Sequence, residues 1–193
     1  MFVWNMSISF QLLFIIVSGV IFLYLRDKSF KYYGLYNIFL IIYVLSRSDS
    51  VYYGFEDLLK PLFGSVDAQI FTHILNFLIP IVFYSFYSIF AFCFLDLDKN
   101  AKKYFKRTTW IIKFMAYLFF GFAALCFAMK NADLFVTLYL YIYVPVILII
   151  FVLTLVQAIQ RSGEHKFFFL AVACYVISDI FLFHREYNRN HFF

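Results

Sequence analysis

Charge is scarce in this chain, and glycine, proline and cysteine are scarcer. Asp, Glu, Lys and Arg make up 14% of the 193 residues against 65% apolar residues, at a mean hydropathy of +0.85. A soluble single domain is excluded, because its surface needs far more polar side chain than this. With only six glycines and three prolines, no stretch has linker composition. No internal repeat or low-complexity tract divides the chain either, so one domain is expected over 1–193. The three cysteines, Cys93, Cys126 and Cys174, lack metal-ligand spacing. The spans drawn below put Cys93 and Cys126 most of a membrane thickness apart, beyond disulfide reach, so buried unpaired thiols are expected. The chain has no glycine-rich phosphate loop, no H-E-x-x-H and no G-x-S-x-G. Enzymatic activity, a bound metal and a cofactor are therefore not expected.

What is present is apolar length. A hydrocarbon core about 30 Å thick needs roughly 20 apolar residues per helix. Six stretches qualify: 8–25, 30–45, 70–94, 108–129, 134–158 and 167–183. Runs such as YVPVILIIFVLTLV do not alternate as barrel strands would, and backbone groups in lipid must bond internally. The fold class expected is therefore all-α, a polytopic membrane bundle of about six helices. MFVWNMSIS has no positive n-region and no small-residue cleavage site follows, so the first span is retained as a helix. Between spans two and three, the stretch FEDLLKPLF reads as an interfacial helix.

The basic residues are distributed unevenly among the loops. One face carries Arg26, Lys28, Lys31, Lys99, Lys102, Lys103, Lys106, Arg107, Arg161 and Lys166; the other has Arg47, Lys60, Lys130, Arg185 and Arg189. Cytoplasmic loops hold the excess, which places both chain ends outside. A net charge of +5 concentrated at membrane ends points to lipid headgroups and not to nucleic acid. The 30 Phe and 16 Tyr are what AT-rich codons supply and suit lipid-facing surface, so no ligand cage is read into them.

Strongly polar groups inside the spans are costly and usually face the bundle interior. Gln11, His73, Asn76 and Asp179 all fall in the outer third of spans one, three and six. Facing one another, they would form a polar pocket open to the outside for a small extracytoplasmic ligand or another membrane receptor subunit; interhelical hydrogen bonding is the plainer reading. Pro80 and Pro145 sit mid-span, where a missing hydrogen bond kinks the helix. Ala124 and Ala128 have the spacing of a close helix approach.

Two resemblances bear on function. Ser178 and Asp179 in YVISDIFLF are similar to a Ser-Asp step of lysoplasmalogenase-like membrane hydrolases, but no partner acidic motifs occur in earlier spans. The broader likeness lies at the joints between spans. FLYLRDKSFKYYGLYNIFLIIYVLS, with Leu25, Arg26, Asp27, Lys28, Ser29, Phe30, Tyr32, Tyr33 and Tyr36, resembles the first cytoplasmic turn of the bacterial seven-transmembrane receptors with diverse intracellular signalling modules. FCFLDLDKNAKKYFKR resembles that family's exit from span three through Phe94, Leu95, Asp96, Leu97 and Lys99. QRSGEHKFFFLAVACYVISDIFLF resembles its approach to span six through Arg161, Gly163, Phe167, Phe168, Leu170 and Ala171.

The resemblance implies a sensory domain in a bacterial cytoplasmic membrane, passing a signal from an extracytoplasmic ligand domain to a cytoplasmic output domain. Only seven residues precede span one, and the sequence stops at HREYNRNHFF where a seventh span would follow. A truncated receptor is the expectation. The alternative is a stand-alone multi-pass protein that partners a receptor or transports a small solute.

Overall fold

The computed structural model describes residues 2–161, and over them the chain is helical from end to end. It comprises α1 (Phe2–Leu25), α2 (Lys28–Ser46), α3 (Asp49–Phe63), α4 (Ser65–Phe94), α5 (Leu97–Asn100), α6 (Lys102–Ala128), α7 (Ala132–Leu138), a π-helical turn (Tyr139–Tyr143) and α8 (Val144–Arg161). Ile8–Leu25, Ser65–Phe94, Lys102–Ala128 and Ala132–Gln157 are each long and apolar enough to cross a membrane. Helix α2 has the length but carries Lys31, Asn37 and four tyrosines, which lower its hydropathy. The helices thus overlie the first five expected spans, and the sixth, 167–183, lies outside the described residues. A helix also covers the FEDLLKPLF stretch and begins earlier than expected, at Asp49.

The joints are short and chemically specific. Arg26, Asp96 and Lys130 take positive φ of 50–52° at the α1–α2, α4–α5 and α6–α7 turns. Left-handed backbone costs a residue with a Cβ about 1–2 kcal/mol. A charged residue there turns the chain sharply while keeping its head at the membrane edge. Asp27 then caps α2, its carboxylate accepting from the Ser29 N–H at 2.9 Å and the Ser29 hydroxyl at 2.7 Å. Asn131 caps α7 through the Leu134 N–H at 3.0 Å. Gly64, at φ 82°, closes α3 and opens α4 with no residue to spare.

Two compact units divide the chain, Met1–Leu148 and Ile149–Phe193. In the first, α1 and α2 form a hairpin and α4 is the core helix, packed by α2, α3, α6 and α7. Over half of its apolar window, 56%, is buried, against 6% for α1, so the polar groups that count for the interior are those of α4 and its neighbours. In the second, the Thr154 hydroxyl closes back on the Ile150 carbonyl at 2.6 Å.

Aromatic rings hold the first unit together, a role that codon supply and lipid exposure do not capture. As α2 runs forward α4 runs back: Tyr33 meets Phe90, Tyr36 meets Tyr87, Phe39 stacks on Phe86 and Tyr43 meets Phe83, with centroids 4.9–5.5 Å apart. Phe119 of α6, fully buried, packs edge-on against Phe135 and Tyr143. Ala124 and Ala128 are exposed on α6, whereas Ala123 and Cys126 are buried, so the small-residue pair looks away from the bundle. Cys93 and Cys126 are both free thiols.

Candidate functional site

At the end of the bundle that carries α3, α2 and α4 bring a small set of polar groups together. The Ser46 hydroxyl lies 2.8 Å from the Tyr43 carbonyl and 3.0 Å from the Asn76 side-chain oxygen, an interhelical bond. Arg47, one residue on, is the C-cap of α2. Its guanidinium sits 4.9 Å over the Tyr43 ring and 5.9 Å from the Phe77 ring. A delocalised cation prefers this aromatic setting to a bare apolar one, and it also suits the negative end of the helix dipole. His73, one turn before Phe77 on α4, keeps its ring 5.5 Å from Phe77. Asp133 of α7 and Arg47 both act on His73 electrostatically. At the start of α4, Asp67 pairs with Lys130 at 2.9 Å and ties it to the α6–α7 turn.

From this cluster a continuous line of buried contacts runs into the bundle. Phe77 meets Tyr139 at 5.4 Å, and Tyr139 stacks on Tyr143 at 5.5 Å with the rings 19° apart. The Tyr143 hydroxyl donates to the Ile81 carbonyl of α4 at 3.1 Å, and the Ser85 hydroxyl donates to the same carbonyl at 2.6 Å. The tyrosines reach this position because of Pro145. Lacking an N–H, Pro145 cannot close on the Tyr141 carbonyl, and the chain answers with a wider turn in which the Val144 N–H bonds back to Tyr139. Pro80 deprives the Asn76 carbonyl of its donor in the same way on α4, one residue before Ile81. The two mid-span prolines therefore flank one hydrogen-bonded contact.

Of the residues expected to form a pocket, His73 and Asn76 lie three positions apart on α4 at this end. Gln11 lies on α1, with its side-chain oxygen buried and unpartnered. Ser18 of α1 sits beside Gly34 of α2. Counting from that point, Gln11 stands about 10 Å along the hairpin where Ser46, and with it Asn76, stands about 18 Å along. Asp179 lies outside the described residues. Sequence reading passed over Arg47, treated only as a loop charge, along with Tyr139, Tyr143 and Asp133. The signal for Tyr143 was Pro145 two residues on, which forces the wide turn. Asn37, buried within α2, bonds the Tyr33 carbonyl at 2.8 Å and is satisfied locally. Among the described residues no three His, Cys, Asp or Glu side chains form a metal-holding group.

The opposite end is built from the two family-like joints. Leu95 and Leu97 are buried on either side of the left-handed Asp96, and Lys99 pairs with Asp96 at 2.7 Å. Lys99 also acts on Asp27, whose carboxyl is held below its usual range, chiefly by its Ser29 hydrogen bonds. Among the matching residues of the two joints, Asp27 is a cap, Arg26 and Asp96 make the tight turns, and Ser29, Leu95 and Leu97 are buried anchors.

An apolar helical bundle, with its polar and aromatic groups strung from one end into the interior, defines an α-helical integral membrane protein. The family described as 7TM diverse intracellular signalling matches residues 1–191, and the chain belongs to that family. It is a transmembrane signalling receptor-like domain. No curated protein and no solved structure matches.

Proposed function

We propose that this domain is a non-enzymatic relay, in which the state of the Arg47–His73–Asn76 cluster sets the geometry of the π-helical turn and so of the helix beyond it. One observation carries the reading: the unbroken sequence of contacts Arg47, Phe77, Tyr139, Tyr143, Ile81, which starts at the polar end and finishes between the two prolines. Packed interiors respond to a local push by switching between discrete arrangements, and a wide turn next to a proline is a ready point for such a switch.

The excess of Lys and Arg beside the α1–α2 and α4–α6 joints supports placing that end in the cytoplasm and the Arg47 cluster outside. In the bacterial cytoplasmic membrane the stimulus would then be an extracytoplasmic ligand or receptor subunit that hydrogen-bonds His73 and Asn76, with Gln11 as a further polar contact from α1. The bilayer is the constant partner.

Hydrogen exchange of the protein in lipid nanodiscs tests the relay. Arg47→Ala and Asn76→Leu are expected to speed exchange at 139–148 as well as at their own helix ends, and to leave 102–107 unchanged. Exchange altered only around residues 43–50 and 73–80 would end the relay reading. Phosphatase and fluorescent-protein fusions in the 96–101 and 47–49 joints check the orientation separately.

A further inference from the structure

Helix α3 has three faces, and only one of them is occupied. At about 100° per residue, Tyr52, Glu56 and Leu59 share an arc of roughly 60°. Leu59 is buried there, on the side that packs against α4. A second arc of about the same width, roughly 100° further round, holds Val51, Phe55, Leu58 and Leu62. All four are exposed, Leu58 at 66% and Leu62 at 72%. Opposite that stripe, about 170° away, lie Asp49, Tyr53, Asp57 and Lys60. Lys60 bonds Asp57 at 2.7 Å and Glu56 at 3.3 Å.

We propose that α3 is an in-plane membrane anchor whose Val51–Phe55–Leu58–Leu62 stripe is covered by the acyl chains of the leaflet at that end of the bundle. The order of faces round the helix is bundle, then apolar, then charged, with apolar and charged opposed. That is the order required of a helix lying against a bundle at the headgroup level, with hydrocarbon below and water above. The chain gives α3 no room to leave that level. Two residues, Arg47 and Ser48, join it to α2, and Gly64 alone joins it to α4. Val66, at the start of α4, one of the helices long and apolar enough to cross a membrane, is exposed as well.

A protein occupant fits the charges less well. Seating a partner on the stripe from the water side would turn Asp49, Asp57 and Lys60 toward hydrocarbon, which disfavours charge. Pro61 agrees with the lipid orientation. It strips the Asp57 carbonyl of its intrahelical donor, and that carbonyl lies on the charged side, where water supplies a replacement. With α3 held at this depth, the end of α2, the start of α4 and Arg47 between them are fixed relative to the bilayer surface.

Nitroxide labels in nanodiscs test the inference, in a chain whose Cys93, Cys126 and Cys174 are replaced by alanine and whose helical circular dichroism is unchanged. Labels at Leu58 and Leu62 are expected to collide several-fold more with oxygen, which dissolves in lipid, than with a water-soluble nickel chelate. Labels at Ser50 and Asp57 are expected to show the reverse, and one at Ile16, exposed on α1, reports the lipid value. If Leu58 and Leu62 favour the nickel chelate, the stripe faces water. If they are shielded from both reagents, protein covers it. Either result overturns the proposal, whereas a water-like Ile16 would overturn the membrane setting of the bundle itself.

Discussion

The Tyr143 hydroxyl donates to the main-chain carbonyl of Ile81 at 3.1 Å, across the interface between α4 and the π-helical turn. Ile81 follows the helix-breaking Pro80, and its carbonyl already accepts from Ser85. Tyr143→Phe keeps the ring against Phe119 and removes only the donor. Interhelical hydrogen bonds in membranes average about 0.6 kcal/mol, so a loss of about 0.5–1.5 kcal/mol is expected in denaturant unfolding from detergent micelles. Combining it with Ser85→Ala should cost more than the two changes separately, because the carbonyl is then left with no side-chain donor.

Pro145→Ala returns an N–H to the point where the chain widens. The new donor can close on the Tyr141 carbonyl, and the turn is expected to tighten from π to α. Residues after it then rotate by about 100° relative to those before. Cysteine labelling reads the change directly. Ile149 is exposed and Ile150 buried in the native register, and the pattern should move by one residue in the variant. An unchanged pattern would mean that packing of Tyr139 and Tyr143, and not the missing donor, sets the wide turn.

Arg47 stacks over Tyr43 and near Phe77, a geometry that a planar guanidinium fills and an ammonium does not. Arg47→Ala should destabilise the α2–α4 end by about 1–2 kcal/mol. Arg47→Lys should recover the charge but less than half of that loss. Full rescue by lysine would show that charge alone matters there.

How far these features could be read from sequence differs with the physics behind each. The helix spans follow from apolar length, which is why α1, α4 and α6 lie where hydropathy puts them. Helix α2 was legible from the same apolar length over 30–45, although its start at Lys28 is set by the Asp27 cap. Arg47 was not legible, since a basic residue after a span counts as topology until Tyr43 and Phe77 are seen beneath it. The tyrosine line could not be read because residues 77, 81, 139 and 143 meet only through tertiary packing. Pro145 signalled a defect in the helix without saying what the defect would aim at Ile81. Ala124 and Ala128 carry a spacing that does not specify which way a helix faces.

Gly34 lets α1 and α2 approach closely: a Cβ built there would stand 3.0 Å from the Ser18 side-chain oxygen. Gly34→Ala should be tolerated once that hydroxyl swings aside, and more readily in a Ser18→Ala background. Gly34→Leu cannot be absorbed in this way, and crosslinking between cysteines placed at positions 14 and 37 should fall several-fold. Efficient crosslinking in the leucine variant would show that the hairpin is held elsewhere.

Asp27 supplies a pH dependence. Its carboxyl is held below the ordinary value chiefly by the Ser29 hydroxyl and N–H, so the stabilisation is present above the unfolded-state value of 3.8 and is lost as pH falls through the lower folded value. Asp27→Ala should remove about 1 kcal/mol at neutral pH, Asp27→Asn only a fraction of it, and neither variant should show the acid-side decline that wild type does. Unfolding followed from pH 7 to pH 3 would expose the difference.

The unequal character of the first two helices bears on how the chain enters a membrane during synthesis. Helix α1 is strongly apolar and scarcely covered by protein, whereas α2 carries Lys31, Asn37 and a row of tyrosines. A helix of that polarity leaves the translocation channel for lipid reluctantly when it emerges alone. Tyr33 meets Phe14 of α1, but the other ring partners of Tyr33, Tyr36 and Tyr43 outside α2 lie on α4, which is made later. Until then α2 depends on the close seam at Ser18 and Gly34, so α1 serves as the escort of α2. Removing α1 should strand α2 at the membrane surface.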